Sequence, residues 1–138
     1  MRVLITGSKN LTDLNMLKIA IIESKFEITE LVTDMEEGIG ELAEKWAIMS
    51  GIPIKKFPIE WNNLKVEGAE IKINKWRKPY NSKAAACRDD EMVGYIEGAI
   101  TIFTDGDKDY IVKKIKDSEK PLYQHKAEIL NKKYRYQF

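Results

Sequence analysis

The chain has 138 residues and carries 23 Lys and Arg against 22 Asp and Glu, so its formal net charge is +1. This length suits one domain, and the 43% of hydrophobic residues suffices for a single core. The charge balance argues against a protein that mainly coats nucleic acid or anionic membrane. A single cysteine and a single histidine exclude an internal disulfide, a multi-thiolate zinc site and paired-histidine metal motifs.

Two absences in the sequence bear on localisation. No apolar run approaches the roughly 18 residues that a membrane-spanning helix needs. The N-terminal residues enter a strand-like run directly, without the apolar segment of a signal peptide. We therefore expect a soluble, cytoplasmic protein with no membrane partner.

The first half of the chain alternates short apolar runs with stretches of helical period. Residues 3–5 predict a strand that Gly7 interrupts, and Thr12 or Asp13 then caps a helix. The elements predicted next are a second strand near residues 28–32, a helix over residues 39–47 that Gly51 stops, and a third strand from residue 52 to about residue 57.

Residues 61–84 break this alternation. Ile71 and Ile73 alternate with polar residues, which predicts an inserted hairpin or a long loop. A segment of this length inside one domain is usually functional or mobile. Trp76 and Tyr80 leave two alternatives open: they line a pocket and stack on a base, or they pin the insertion to the sheet.

The alternation resumes after the insertion. The predicted elements are a short helix near residues 92–96, a fourth strand over residues 99–103, a helix near residues 111–115 and a last strand at residues 121–123. Continuous apolar strands joined by helices imply a three-layer α/β sandwich with a mostly parallel sheet of about five strands. We expect residues 1–123 to form this domain. The basic, tyrosine-rich residues 124–138, with a short helix over residues 126–133, are expected to pack on the domain or trail from it.

Ligands of such sheets bind at the carboxyl ends of the strands, near the point where the strand order reverses. Three loops qualify, at residues 7–10, 34–40 and 104–109. The first loop places a glycine and a hydroxyl before a helix, an arrangement that can hold an anion. Arg88 either adds a guanidinium to this site or forms a surface salt bridge with Asp89 or Asp90.

Four blocks of sequence occur in a recognisable order: RVLITGSK at residues 2–9, LAEKWA at residues 42–47, GIPI with FPIEW at residues 51–61, and a central block with Lys78, Pro79, Tyr80, Asn81, Ala84, Arg88 and Met92. Together they resemble the YspA/YpsA-related branch of the SLOG superfamily, which includes Smf/DprA-like and LOG-like proteins. The central signature of that branch commonly reads K-x-Y-N-x-x-A-G-x-x-R-N-x-x-M. The resemblance covers about residues 1–123. It implies a Rossmann-like fold and a pocket for a nucleotide or nucleotide-derived ligand, and the LOG-like relatives are phosphoribohydrolases.

The chain departs from this family in its loops. The family loop G-G-A-x-G-x-D is DMEEGIG at residues 34–40, the Asn after the signature Arg is Asp89, and the LOG-like motif P-G-G-x-G-T-x-x-E is absent. The acids expected at one rim are Asp34, Glu36, Glu37, Asp89, Asp90, Asp105, Asp107 and Asp109, against Lys9, Arg88 and Lys108. Two like charges about 4 Å apart repel by roughly 4 kcal/mol at a surface-like dielectric. A phosphate ligand would therefore need a divalent cation such as Mg²⁺.

The predicted function is a divergent SLOG-like module that binds a nucleotide or nucleotide-derived ligand without strong catalysis. The predicted ligand-binding residues are Gly7, Ser8, Lys9, Glu37, Gly38, Tyr80, Asn81, Arg88, Asp89, Thr104, Asp105 and Gly106; no catalytic residue, resident metal or cofactor is assigned. One alternative is a nucleotide N-glycosidic-bond hydrolase that uses Glu37 or Asp105. Another is an interaction protein of phage or mobile-element origin with a degenerate pocket. A homodimer or a protein partner stays open, and nucleic acid is not expected.

Several residues have plainer interpretations. Cys87 is expected at the edge of the core, and His125 is expected in solvent. The acidic turn at residues 105–109 does not fit a calcium loop, whose sixth position would be Tyr110 rather than glycine. The basic and aromatic residues near the C-terminus belong either to a solvated helix or to a single-strand binder.

Two expectations concern stability. Gly7→Val should abolish ligand binding while the fold stays intact, because the valine side chain would occupy the place of the bound anion. Arg88→Ala should cost little, because exposed ion pairs contribute about 0–1 kcal/mol.

Overall fold

The computed structural model describes residues 1–126, which form one parallel sheet with helices on both faces and a separate hairpin. The elements in chain order are β1 (Arg2–Gly7), α1 (Leu14–Ser24), β2 (Glu30–Thr33), α2 (Ile39–Ser50), β3 (Ile54–Lys56), β4 (Ile71–Ile73), β5 (Pro79–Asn81), α3 (Ala84–Tyr95), β6 (Gly98–Phe103), α4 (Tyr110–Asp117) and β7 (Leu122–Lys126).

The main sheet has the strand order β3-β2-β1-β6-β7, and all its pairings are parallel. The order reverses between β1 and β6, so the crevice at their carboxyl ends is the switch point of the fold. Both central strands are buried on their two faces, which is why their sequences are almost continuously apolar. The predicted three-layer Rossmann-like sandwich is confirmed.

Two apolar clusters fill the space between the layers. On one face, Leu17 of α1 and Ala43 of α2 pack with Val3 and Ile5 of β1. On the other face, Met92 of α3 and Ile96, which directly follows that helix, pack against alternate strand residues, and Ile115 of α4 joins them. The helical period that predicts α2 from the sequence therefore marks its buried face.

The helix ends follow local chemistry. Asp13 caps α1 by accepting hydrogen bonds from the backbone N–H groups of Asn15 and Met16. Gly51 ends α2 at a φ of 68°, as predicted. The helix α3 begins at Ala84, well before the short helix predicted near residue 92. The prediction missed its first turns because they carry alanines and charged residues without apolar periodicity.

The insertion contains the predicted hairpin, with β4 and β5 antiparallel. Asn81 fastens its base: the backbone N–H donates to the Trp61 carbonyl at 2.7 Å, and the side-chain Oδ1 accepts from the Glu70 N–H at 3.1 Å. Trp76 is 69% exposed, so it does not pin the insertion to the sheet. The hairpin is held at its base by Asn81 rather than by its tryptophan.

The last described strand, β7, runs to Lys126, three residues beyond the strand predicted at residues 121–123. The predicted helix over residues 126–133 and the basic, aromatic C-terminal residues lie outside the described part from residue 127 onward. None of the helices within residues 1–126 has the length and apolarity to cross a bilayer.

Candidate functional site

Ser8 lies at the switch point, where β1 and β6 end side by side. Its N–H donates to the Ile102 carbonyl at 2.8 Å, and its own carbonyl accepts from the Ile39 N–H at 3.1 Å. Ser8 thereby joins β1, β6 and the first turn of α2. It is only 2% exposed, so a ligand would meet the neighbouring Lys9, whose side chain is 69% exposed, before it met Ser8.

At two predicted site glycines, Gly7 and Gly38, the packing around Ser8 leaves no room for a side chain. A Cβ on Gly7 would lie 2.1 Å from the Ile102 carbonyl oxygen, and one on Gly38 would lie 2.2 Å from the Ser8 carbonyl oxygen. Gly38 also has a φ of 72°, which side chains rarely adopt. The expectation that Gly7→Val leaves the fold intact is therefore wrong, because valine would collide with the backbone of β6.

The loop after β2 turns its first acid inward. Asp34 is 9% exposed; its carboxylate accepts hydrogen bonds from the Thr6 hydroxyl and, at 3.0 Å, from the Glu36 N–H. Glu36 lies 4.0 Å from the Lys9 ammonium, and Glu37 is exposed. Asp34 thus stabilises the loop. The sequence pattern had placed it in an exposed acidic rim, and that prediction is wrong for this residue.

Arg88 is the most heavily bonded side chain at this edge. One terminal nitrogen, Nη1, donates to the carbonyls of Asp34 at 2.9 Å and Phe57 at 3.2 Å, and Nε donates to Asp89 at 2.7 Å. The other terminal nitrogen lies 3.5 Å from Glu36. With its side chain 8% exposed, Arg88 ties α3 to the loops after β2 and β3. The salt bridge to Asp89, one of the two alternatives for Arg88, is present, but it is largely buried rather than on the surface.

The two acids after Arg88 have different partners. Asp89 receives the Arg88 hydrogen bond, while Asp90 accepts one from the Lys114 ammonium at 2.6 Å. Burial raises the pKa of the Asp89 carboxyl above its ordinary value, and the Arg88 guanidinium opposes that rise. Asp89 therefore belongs to the contacts that hold Arg88 in place.

The two site residues predicted on the hairpin lie away from the switch point. Tyr80 is partly buried opposite Lys72. Asn81 is fully buried, and the chain itself uses its amide: Oδ1 accepts from two backbone N–H groups, and Nδ2 lies 3.6 Å from the Cys87 sulfur. Asn81 is thus a structural fastener of the insertion, and ligand contact by either residue stays a prediction.

The loop after β6 folds onto an acid of its own. The Asp107 carboxylate accepts hydrogen bonds from the Thr104 N–H at 2.8 Å and the Thr104 hydroxyl at 2.6 Å. The hydroxyl bond is the main cause that lowers the pKa of Asp107. Thr104 is 8% exposed. The donors that a phosphate would need in this loop are therefore bonded to a carboxylate.

The rest of this loop is open to solvent. Asp105 and Lys126 form an ion pair at 3.0 Å, and their side chains are 87% and 79% exposed. Beside them lies a cavity of about 290 Å³ between the ends of β6 and β7 and the start of α4. Its lining consists of Thr101, Phe103, Thr104, Asp105, Gly106, Asp107, Asp109, Val112, Gln124, His125 and Lys126. Three predicted site residues, Thr104, Asp105 and Gly106, share this cavity.

A second, smaller cleft of about 180 Å³ separates the end of β3 from the insertion and α3. Arg88 and Asn81 line it, together with Phe57 and Cys87, which the sequence had not assigned to a site. Cys87 is 7% exposed, in agreement with a place at the core edge. No sequence signal marks Phe57, because its contribution here is a backbone carbonyl that accepts a hydrogen bond from Arg88.

His125 and the acids give no metal centre within the described chain. The His125 side chain is 24% exposed, more buried than expected, with Nδ1 3.8 Å from Glu23. Among residues 1–126, no three His, Cys, Asp or Glu side chains are grouped so as to hold a metal ion. A divalent cation that arrives with a phosphate ligand stays a prediction.

Comparison with known proteins gives a likeness of fold. The chain matches no protein-family model and no curated protein sequence. It is similar to the X-ray structure of DNA processing protein A (DprA) from Streptococcus pneumoniae, with a TM-score of 0.61 and 16% sequence identity. The match covers 94% of this chain and 52% of that chain, so this chain spans about half the length of its structural relative. At this identity the likeness establishes one thing: the chain has a Rossmann-like α/β fold of the DprA type.

Proposed function

We propose that the protein is a binding module for a nucleotide or nucleotide-derived ligand of about mononucleotide size. The observation that carries the proposal is the cavity at the carboxyl ends of β6 and β7, which Thr104, Asp105 and Gly106 line. Parallel α/β sheets bind their ligands at the carboxyl ends of their strands, and this cavity lies at that end of the sheet, one strand away from the β1–β6 switch point. At about 290 Å³ the cavity lies just below the usual range for small-molecule sites, roughly 300–1,000 Å³, which favours a mononucleotide over a dinucleotide.

The lining offers a surface for each part of such a ligand. Phe103 and Val112 supply apolar area for a base, and the Gln124 amide can pair with its polar edge. The Asp105 carboxylate is an acceptor for ribose hydroxyls, and the Lys126 ammonium is a donor for a phosphate. Both charged groups are exposed, so they can leave their mutual ion pair at little cost.

The charge of the lining sets a condition on the ligand. Three carboxylates, Asp105, Asp107 and Asp109, line the cavity with a single ammonium group, that of Lys126. A bare phosphate would face net repulsion, whereas a divalent cation beside it would neutralise the acids. We therefore expect Mg²⁺ to strengthen the binding of a phosphorylated ligand and to leave the binding of a nucleoside unchanged.

Exposure of the acids favours binding over hydrolysis. A carboxylate that stabilises charge on a ribose acts best in a site that excludes water. Glu37 is exposed, and the Asp105 side chain is 87% exposed. Neither acid has the enclosed setting that the alternative N-glycosidic hydrolase would need.

The test is calorimetry and thermal shift with the four nucleoside monophosphates, their nucleosides and NAD, each with and without Mg²⁺. A bound ligand at a hundredfold excess over its Kd stabilises the fold by about 2.7 kcal/mol. Lys126→Ala should weaken binding of the phosphorylated ligand, whereas Lys45→Ala, an exposed change on α2, should not. The proposal fails if no compound shifts the melting temperature, or if both variants bind like the wild type. Release of free base during the incubation would favour the hydrolase instead.

A further inference from the structure

The tip of the β4–β5 hairpin concentrates positive charge and exposed apolar area. We call residues 72–78 the basic tip. Residues 71–81 contain Lys72, Lys75, Arg77 and Lys78 and no acid. Ile73 and Trp76 are 70% and 69% exposed, among the most exposed large apolar side chains of the described chain. Exposed apolar side chains rimmed by polar groups mark an interaction surface.

The basic tip is ordered before any partner binds. The Asn74 N–H donates to the Lys78 carbonyl at 3.0 Å, and the Asn74 side chain accepts from the N–H groups of Trp76 and Lys78 at 2.9 and 3.1 Å. The Lys75 ammonium lies 4.4 Å from the centre of the Trp76 ring and covers one of its faces. An indole that is already oriented loses less entropy when it binds.

Most of the charge on the tip is uncompensated within residues 1–126. Lys72 lies 3.7 Å from Glu70. In the same described part of the chain, Lys75, Arg77 and Lys78 have no carboxylate within the 4.0 Å of an ion pair. A partner of the tip would therefore carry negative charge beside an apolar seat.

The same chain carries a surface with that chemistry. A depression of about 670 Å³ lies between the start of the insertion and α3, and we call it the acidic depression. Its lining consists of Val66, Glu67, Gly68, Cys87, Asp90 and Glu91. Asp90 is paired with Lys114, but Glu67 and Glu91 have no ion-pair partner in the described chain. Val66 and Cys87 give the depression an apolar part.

We propose that the basic tip of one copy docks in the acidic depression of a second copy of this chain. The tip does not reach the depression of its own chain, because the hairpin base is fixed beside that depression by Asn81 and Ser82. The tip lies at the other end of the hairpin. Two copies related by a two-fold axis exchange their tips, so each tip is covered and the assembly closes as a dimer. Trp76 is the anchor of this interface, and the paired charges set its register.

The experiment is a charge exchange between two variants, followed by sedimentation velocity over a concentration series. The first variant carries Lys75→Glu, Arg77→Glu and Lys78→Glu, which makes the tip net negative, and the second carries Glu67→Lys with Glu91→Lys. In each variant alone, tip and depression have the same sign, so self-association should weaken by about tenfold or more. In an equal mixture both contacts regain opposite signs, and a species of twice the 16.0 kDa chain mass should return. All five positions are on the surface, and thermal melts of both variants should match the wild type.

The wild type should sediment as a concentration-dependent dimer that weakens as salt is added. Trp76→Ala should shift it to monomer, whereas Trp61→Ala, a 48% exposed tryptophan outside the tip, should not. A wild type that stays monomeric at every concentration would overturn the proposal, and so would a mixture that fails to dimerise. If the monomeric wild type then bound single-stranded oligonucleotide or anionic vesicles through the tip, the surface would belong to that partner instead.

Discussion

The two ends of the strand-end edge begin from the same sequence pattern and reach opposite outcomes. Each end brings a cation and several acids to the loops that follow parallel strands. At the β2–β3 end the cation is Arg88, 8% exposed and bonded to two backbone carbonyls and Asp89. At the β6–β7 end it is Lys126, 79% exposed and paired with Asp105. Burial, not charge, decides which of the two cations is available to a ligand.

The contrast has an energetic basis. A buried guanidinium whose donors are shared among carbonyls cannot turn to a ligand without leaving those carbonyls unpaired, and each loss costs about 1–3 kcal/mol. An exposed ammonium exchanges its carboxylate for water at almost no cost. The β2–β3 end is therefore a joint of the fold, and the ligand of the proposed function is expected at the β6–β7 end. Five substitutions test this division.

The largest effect is expected at Arg88. Arg88→Ala leaves the carbonyls of Asp34 and Phe57 and the partly buried Asp89 carboxylate without their donor, so the free energy of unfolding should fall by about 3 kcal/mol or more. Urea unfolding gives the value. Arg88→Lys should be intermediate, because one ammonium cannot reach all these acceptors. A loss below about 1 kcal/mol for Arg88→Ala would show that the joint lies elsewhere.

Gly7→Val should have the second largest effect, about 2–3 kcal/mol, because its side chain would collide with the β6 backbone near Ile102. The matched control is Gly94→Ala in α3, where an added Cβ meets nothing within 4 Å. That change should stabilise the fold by about 0.5 kcal/mol, since alanine favours helix. Thermal unfolding of both variants should therefore give shifts of opposite sign, and equal signs would contradict the packing argument.

Asp107→Ala should cost about 1 kcal/mol at neutral pH, because Thr104 loses two hydrogen bonds. The folded pKa of Asp107 is lowered, so its stabilisation is fully present above the ordinary value of about 3.9 and is lost as the pH falls through the folded pKa. Wild type and variant should converge in stability in acid. Urea titrations from neutral pH into the acid range measure this.

Asp89 should act in the opposite sense. The pKa of Asp89 is raised in the folded state, so the folded state favours the protonated carboxyl. The contribution of Asp89 to stability therefore declines as the pH rises through the folded pKa. Asp89→Asn should therefore diverge from the wild type in a direction opposite to Asp107→Ala over the same acid range. A shared direction would place both acids in one environment and remove the contrast between the two ends.

The smallest effect on stability is expected at Lys126. Its ion pair with Asp105 is exposed on both sides, so Lys126→Ala should leave the melting temperature unchanged. Differential scanning calorimetry without ligand is the measurement. A clear drop in melting temperature would mean that the β6–β7 end is also a joint of the fold, and the division between the two ends would fail.

The elements of the main sheet could be predicted from the sequence because the pattern that marks each of them is local. The apolar run at residues 3–5 and the helical period over residues 39–47 are each readable in a short window, and both elements form as predicted. The first turns of α3 could not be read this way, since alanines and charges there show no periodicity. That start depends on Asn81, whose side chain accepts from the Lys83 N–H.

The site was harder to predict because its decisive contacts are distant in sequence. Arg88 bonds to carbonyls of Asp34 and Phe57, which are 54 and 31 residues away, and a backbone carbonyl leaves no mark in a sequence. Asp34 turns inward because Thr6 lies on the neighbouring strand and donates to it. The prediction of an acidic rim named the acids that lie in these loops, but the sequence did not show which of their side chains face the solvent.

The single cysteine gives the insertion a built-in reporter. Cys87 lies under the insertion, where its thiol donates to the Glu67 carbonyl and contacts the Asn81 amide. A thiol reagent such as Ellman's reagent should react with this nearly buried sulfur when the insertion lifts from α3. The labelling rate of Cys87 then measures how often the insertion opens in the wild-type chain. A molecule that holds the insertion against α3 would lower that rate.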